Sequence, residues 1–407
     1  MKYTGEKEGL LQGIRILDLA DEKASFCSKV LADLGALVIK AEKPGGDNSR
    51  KAGTSSGNKP FKEPNPFFLY NNANKLGITL DIEKQEGIRL FIRLVKKVDV
   101  VVESFPPGYL ATLDCPYEVM SKVNRGLILA SVTGFGQTGP RSGYKSCDLV
   151  ALAFGGQMYV SGDPSSAPLR PYGEQSYYLS SLFAAVGILL ALIKRRKTGK
   201  GEHIDISSQE AVSGTLDHVL VRYLYDGVIS RRQGNLSWNR TSFILPCKDG
   251  HIHISIANQW HWETLVEWLA SEGMAQDLPE ERWKDEDYRN QNVDHIKDVL
   301  QRWTLTHNVR ELFETAQAMR FPWAPVCRPE DILSSPQLLA REFFCTVDYH
   351  GLGRSLFSPG MPYRFSNSPS CRARRVPLPG EDNKRIYCDE LGLSEKEVAR
   401  LAKLGVI

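Results

Sequence analysis

Two short segments, Asp99-Val-Val-Val-Glu103 and Leu127-Ile-Leu-Ala-Ser-Val132, are apolar at successive rather than alternate positions. A strand with one wet face alternates apolar and polar residues, so an unbroken apolar run marks a strand covered on both faces. Parallel sheets flanked by helices provide that environment, and each parallel connection needs a dozen or more residues. The neighbouring sequence supplies them. Ile14–Leu19 reads as a strand, Cys27–Leu34 as a helix and Leu37–Ala41 as a second strand. After the loop from Pro44 to Pro66 come a strand near Ile78–Asp81 and a helix over Lys84–Lys97. This βαβα order predicts a doubly wound α/β domain.

From Ser176 to Val212 the chain reads as a long apolar helix, a basic glycine turn, a short strand and another helix. The apolar run Tyr178–Ile193 is sixteen residues long, below the ~20 needed to cross a bilayer. Ser180, Ser181 and Gly187 within it suit close helix packing, so a buried core helix is expected and no membrane span. The cations Lys194 to Lys197 complement the dipole of a helix C-terminus, and Gly199 and Gly201 supply the turn. Past Gly227 the texture changes. Serine, asparagine, arginine and tryptophan dominate Arg231–Thr241, and a strand pair is expected around Ser242–Ser255. Helical patterns follow at His261–Ser271, Val293–Thr306 and Val309–Ala318. Residues 227–330 therefore read as a smaller α+β domain after a large α/β portion, 1–226. Near the C-terminus, Ser394 with Glu395 and Glu397 forms a good helix start.

Several function classes fall away. A formal net charge of +3 on 407 residues gives nucleic acid no electrostatic hold, and no nucleic-acid partner is expected. The eight cysteines are scattered without a CxxC pair, and the charged N-terminus lacks the apolar core of a signal peptide. Reduced thiols in a cytoplasmic protein are expected. The glycosylation-like triplets at Asn235 and Asn239 then carry no meaning. His251, His253 and His261 lack further ligands at matched spacing, so no metal site is expected. Gly134-Phe-Gly136-Gln-Thr-Gly139 fits GxGxxG, yet Pro140-Arg-Ser-Gly143 follows where a dinucleotide site needs a helix to begin.

Motifs spread over nearly the whole chain carry a more specific message. In order they are Gly13–Asp18, Leu31–Ala36, Val38–Gly45, Asn72–Lys75, Glu103–Gly108, Gly134–Pro140 and Thr198–Gly201. Ala324–Val326, Pro359-Gly360, Arg364–Ser366 and Pro379–Glu381 complete the series. The chain resembles the family III CoA-transferases, the CaiB/BaiF group. The resemblance implies a Rossmann-like large domain built from both ends of the chain, with 331–407 returning to it, and an inserted small domain. It also implies a ring-shaped chain interlocked with a second one, and CoA and acyl-CoA as substrates rather than bound cofactors. The family's glycine loop lets backbone approach the thioester end of CoA. The positions matching its CoA site are Lys40, Asn72, Asn74, Lys75, Phe105, Gly134, Gly136 and Gln137.

In that family an aspartate directly before the Tyr-Leu pair of the long helix is the covalent nucleophile, and here Tyr177 stands in its place. A carboxylate with a pKa near ~4 is ionised at neutral pH, whereas a phenol near ~10 is mostly protonated. Glu174 is the alternative carboxylate that a slipped loop would bring in. Asp21 and Glu22 follow the first strand where the family tends to place cations. The resemblance thus points to a subunit that moves CoA from a donor such as succinyl-CoA to an acid such as benzylsuccinate. A paralogous subunit would supply the aspartate. The alternatives are an acyl-CoA racemase or isomerase, whose histidine position falls on Cys147, and a non-catalytic scaffold protein.

Overall fold

A computed structural model describes residues 9–50, 65–237, 240–349, 354–368 and 374–407. The first eight residues, most of the loop after Pro44, Asn239 and Cys371 lie outside them. Six parallel strands form the main sheet: β1 (Arg15–Asp18), β2 (Leu37–Glu42), β3 (Leu76–Thr79), β4 (Val100–Glu103), β5 (Ile128–Thr133) and β6 (His203–Ser207). Their order is β3-β2-β1-β4-β5-β6, with the chain reversing direction across the sheet between β1 and β4, the doubly wound arrangement.

Both faces of this sheet are covered. Val100 and Val102 of β4 and Ile128, Ala130 and Val132 of β5 pack with Leu31 of α1 (Ser25–Asp33). Ala184, Ala185 and Ile188 of the long helix join the same cluster. The intervening Val101 and Leu129 face the opposite way, onto Leu90, Phe91 and Leu94 of α2 (Gln85–Val95). The unbroken apolar runs are therefore strands buried on two sides. The C-terminal segment completes the second layer. Ile386 and Tyr387 are fully buried there, and the Tyr387 hydroxyl donates to the Thr79 carbonyl at 2.7 Å. Val406 returns its carbonyl to the N–H of Asp81 at 2.7 Å.

Two helices frame the region of interest, α3 (Asp148–Phe154) and α4 (Gln175–Thr198), and α5 (Ser208–Gly214) follows β6. Helix α4 has 24 residues because it extends past the apolar run at both ends. By length and composition it is long and apolar enough to cross a membrane. Its buried side belongs to the sheet core, and Val186, Leu190 and Ile193 on its other side are each more than half exposed. The basic run that ends it is occupied structurally. Arg195 pairs with Asp99 at 2.9 Å and Lys194 with Glu202 at 2.8 Å. Gly201 lies so close to the preceding strand that a Cβ there would stand 1.8 Å from the Leu127 carbonyl oxygen. Gly201→Ala must displace backbone, and we expect a loss of about 1–3 kcal/mol, read as a lower urea midpoint with an unchanged slope.

The chain divides into two compact units, 1–157 with 170–226 and 339–407, and 158–169 with 227–338. The second has its own core around Trp262, Trp283, Trp303 and Trp323. A three-stranded sheet, β7 (Ser242–Pro246), β8 (His251–Ser255) and β9 (Ala324–Pro325), lies in it. Two features depart from sequence expectation. Phe344–Tyr349 and Arg354–Pro359 pair as an antiparallel hairpin that no periodicity announced. Within it Cys345 is disulfide-bonded, which corrects the expectation of uniformly reduced thiols. Cysteine spacing along a chain does not reveal which sulfurs folding brings together.

Candidate active site

The N-termini of α3 and α4 hold one another reciprocally. The backbone N–H of Asp148 donates to the Tyr177 hydroxyl at 3.1 Å. In return, the Asp148 carboxylate accepts from the Ser176 N–H at 2.9 Å and the Ser176 hydroxyl at 2.8 Å. One turn on, the Ser180 hydroxyl reaches the Ser208 hydroxyl of α5 at 2.8 Å. The second Asp148 oxygen accepts no hydrogen bond from the described residues and lies 3.8 Å from the Arg170 guanidinium. Sequence reasoning passed over Asp148 as a site residue. Its only signal was an acidic residue placed to begin a helix after the glycine loop.

Tyr177 is buried, with 8% of its surface exposed. Burial pushes its phenol well above the ordinary tyrosine range, and the charges of Glu174 and Glu22 push it further. It therefore stays protonated at neutral pH. Glu174 precedes the first turn of α4 without capping it. Burial raises its carboxyl pKa, the nearby Asp148 adds to that, and Arg170 opposes it. Glu22 is raised for the same first reason, burial, and then by Asp21. The surroundings of Tyr177 are thus rich in carboxylates, a setting that disfavours a further anion. Cys147 is exposed at the position before α3.

The residues matching the family's CoA site are tied into the protein itself. Lys75 is fully buried, and its ammonium bonds Asp18 at 2.8 Å, Asn72 at 2.8 Å and the Ser25 carbonyl at 3.0 Å. Burial pulls it below the usual lysine range, to about 8, against the attraction of Asp18. Lys40 donates to the Ala20 carbonyl and lies 3.4 Å from Asp47. Burial would lower its pKa, but Asp18, Asp47, Glu42 and Asp21 together raise it. Asn72 also donates to the Phe68 carbonyl at 3.1 Å. Asn74 bonds Asp33 at 2.7 Å and receives the Arg374 N–H at 2.8 Å.

The remaining positions surround the glycine loop. Gly134 follows β5 so closely against Ser146 that a Cβ would meet its side chain at 2.2 Å. Gly136 and Gln137 turn over Asp205, whose two oxygens accept the Gln137 N–H at 3.0 and 2.9 Å. Phe105 stacks near Tyr109, ring centres 4.7 Å apart, and its N–H donates to the Glu103 carboxylate at 2.6 Å. Glu103 is buried, and that burial raises it to about 7 against the bonds from Ser131 and Phe105. A carboxyl raised in the folded state contributes stability below its unfolded pKa of 4.5 that is lost as pH rises through about 7. The loss is on the order of 3 kcal/mol. Glu103→Gln keeps the acceptor for Phe105 and should flatten urea stability between pH 5 and 8, leaving the variant the more stable protein at pH 8.

With this geometry in view, the likenesses to known proteins take on meaning. A model described as CoA-transferase family III matches residues 11–383. The subunit BbsE of succinyl-CoA:(R)-benzylsuccinate CoA-transferase from Thauera aromatica is 33% identical over 401 residues, spanning 97% of each chain. The alpha subunit of the succinyl-CoA–L-malate CoA-transferase of Chloroflexus aurantiacus is 30% identical over 417 residues, 99% of this chain and 94% of that one. A crystal structure of a CAIB/BAIF family protein from Brucella suis superposes with a TM-score of 0.84 at 29% identity, covering 94% of this chain and all of the other. Relatives of this chain thus include subunits of heteromeric CoA-transferases.

Proposed function

The chain belongs to CoA-transferase family III, and on that premise we propose that it is the non-nucleophilic subunit of a heteromeric enzyme. The reaction moves CoA from succinyl-CoA to a second dicarboxylic acid, of which benzylsuccinate is the leading candidate. The named acceptors of the two subunit relatives, (R)-benzylsuccinate and L-malate, both carry a four-carbon diacid, which supports that acceptor class. One observation carries the reading. The residue at the expected nucleophile position is a buried, protonated phenol that accepts a backbone N–H.

The chemistry then falls to an aspartate of a paralogous partner. Its carboxylate attacks the donor thioester, forming a mixed anhydride and releasing the CoA thiolate. That thiolate attacks the aspartyl carbonyl of the anhydride, giving an aspartyl-CoA thioester and freeing the donor acid. The acceptor carboxylate attacks this thioester and expels CoA again. The thiolate finally takes the acceptor's acyl group and returns the aspartate.

Tyr177 supports no such sequence, because an aryl ester does not reproduce the anhydride route. The apolar face of α4 left exposed at Val186, Leu190 and Ile193 supports association with a second chain. We take that assembly to be the interlocked pair of ring-shaped chains. A racemase would need proton-transfer groups where Tyr177 and the exposed Cys147 stand, so this alternative gains no support. Co-expression with the paralogue tests the proposal directly. We expect one complex containing both chains and succinyl-CoA-dependent CoA transfer by that complex. Inactivity of a well-folded complex would favour the scaffold alternative.

A further inference from the structure

Glu103 is a buried carboxyl that the CoA-transfer reading leaves without a task, and it does not stand alone. The register of β4 and β5 places it level with Ser131, whose hydroxyl bonds the carboxylate. The same Ser131 oxygen lies 2.9 Å from Nε2 of His203, on the edge strand β6. Glu103 and Ser131 are 3% and 1% exposed, whereas His203 reaches the surface. The three side chains thus form a hydrogen-bonded chain from the sheet interior to solvent. A pocket of about 110 Å³ borders all of them, wide enough for water to meet the outer end. The Tyr117 ring lies 5.5 Å from the imidazole and 31° from parallel with it, which fixes the ring that presents Nε2 to Ser131.

Ser131 has one hydroxyl hydrogen and stands between two groups that can each accept it. With a neutral imidazole, two arrangements satisfy both bonds. When Glu103 is protonated, its O–H donates to the Ser131 oxygen, the Ser131 O–H donates to Nε2, and the ring carries its hydrogen on Nδ1. When Glu103 is ionised, the Ser131 O–H donates to the carboxylate and Nε2–H donates to the Ser131 oxygen. The first becomes the second when Glu103 gives its proton to Ser131, Ser131 passes its own to Nε2, and Nδ1 releases one to water. One proton leaves the protein, and the imidazole stays neutral throughout. We propose that Glu103, Ser131 and His203 are a proton relay that connects the buried end of β4 to solvent by exchanging the tautomer of His203.

The groups around the relay set where it switches. Burial raises Glu103 to about 7, Asp21 pushes the same way, and Ser131, Phe105 and Lys23 oppose the rise. Burial lowers His203 against the pull of Asp205 and Glu118, so the ring is already neutral when Glu103 ionises. Tyr109 and Tyr117, both raised by burial, keep their protons there. The exchange therefore centres near pH 7. Its effect reaches Phe105, whose N–H donates to the Glu103 carboxylate at 2.6 Å, because an ionised acceptor holds that N–H more strongly than a carboxylic acid does.

Nitrogen-15 spectra of the full chain labelled at histidine, recorded between about pH 6.5 and 8.5, test the relay. The His203 signals are identified by their absence from His203→Gln. They are expected to show Nδ1–H at the acid end and Nε2–H at the alkaline end. The tautomer ratio should change about tenfold per pH unit near the midpoint, as a one-proton step requires. Ser131→Ala and Glu103→Gln, with circular dichroism confirming the fold, are each expected to hold one ratio across the range. A constant His203 tautomer in the parent, or an unchanged exchange in either variant, would overturn the assignment.

Discussion

On the proposed heteromeric reading, replacing the aspartate of the paralogous subunit by alanine is expected to lower CoA transfer by the complex at least about a thousandfold. Tyr177→Phe in this chain is expected to leave the rate within about threefold of the parent. The asymmetry follows from where a negative oxygen is available. The Tyr177 phenol is buried and raised by its surroundings, so its hydroxyl keeps its proton while accepting the Asp148 N–H. Losing that acceptor removes one hydrogen bond at a helix N-terminus, about 1 kcal/mol of stability, and on the subunit proposal no chemistry. Tyr177→Asp is not expected to create a second active centre at full rate. A carboxylate there meets the charges of Glu174 and Glu22, the same groups that raise the phenol. Single-turnover transfer from succinyl-CoA, measured for the complex and for this chain alone, checks the set. Normal exchange by this chain alone would end the subunit proposal, as would abolition of activity by Tyr177→Phe beside an intact partner.

Lys75→Met is expected to destabilise the protein by about 3–5 kcal/mol, the largest stability effect we anticipate. Both Lys75 and Asp18 are fully buried, 2.8 Å apart. Removing the cation leaves Asp18 with the Ala20 N–H at 2.9 Å, the Ser28 hydroxyl at 2.6 Å and the field of Lys40, inside a dry interior that penalises an uncompensated charge. Adding Asp18→Asn should restore part of the loss, since a neutral amide needs no counter-ion. Urea unfolding of the parent, both single variants and the double variant gives the coupling directly. A role in gripping CoA phosphate predicts the reverse: near-parent stability with weakened CoA binding. That outcome would refute the structural role assigned to Lys75.

The frame of the molecule was readable where local pattern and burial agree. Asp99–Glu103 and Leu127–Val132 announced strands covered on both faces, and Val309–Ala318 is a helix over the span its period indicated. Ser394 accepts the Glu397 N–H at 3.2 Å, the cap its spacing suggested. The candidate site was legible only in part. Tyr177 drew attention by its place in a motif, yet its bond to Asp148 spans 29 positions and depends on how α3 meets α4. The inward turn of Lys75 was hidden for a similar reason. Its partner Asp18 lies 57 residues earlier, at the end of β1, and only the parallel stacking of β1, β2 and β3 brings the two together. Long-range side-chain partners of this kind leave no periodic trace in sequence.

The return of the C-terminal segment to the main sheet has a consequence for biosynthesis. Leu90 and Phe91 share their cluster with Tyr387, Val406 and Ile407, and Asp81 waits for the Val406 carbonyl. Once the first 226 residues have left the ribosome, one face of their sheet stays incomplete until the rest is made. At ordinary elongation rates that interval is roughly ten to forty seconds. During it the nascent chain displays an open apolar layer, exposed to aggregation. The chain therefore closes its first unit last, from its far end.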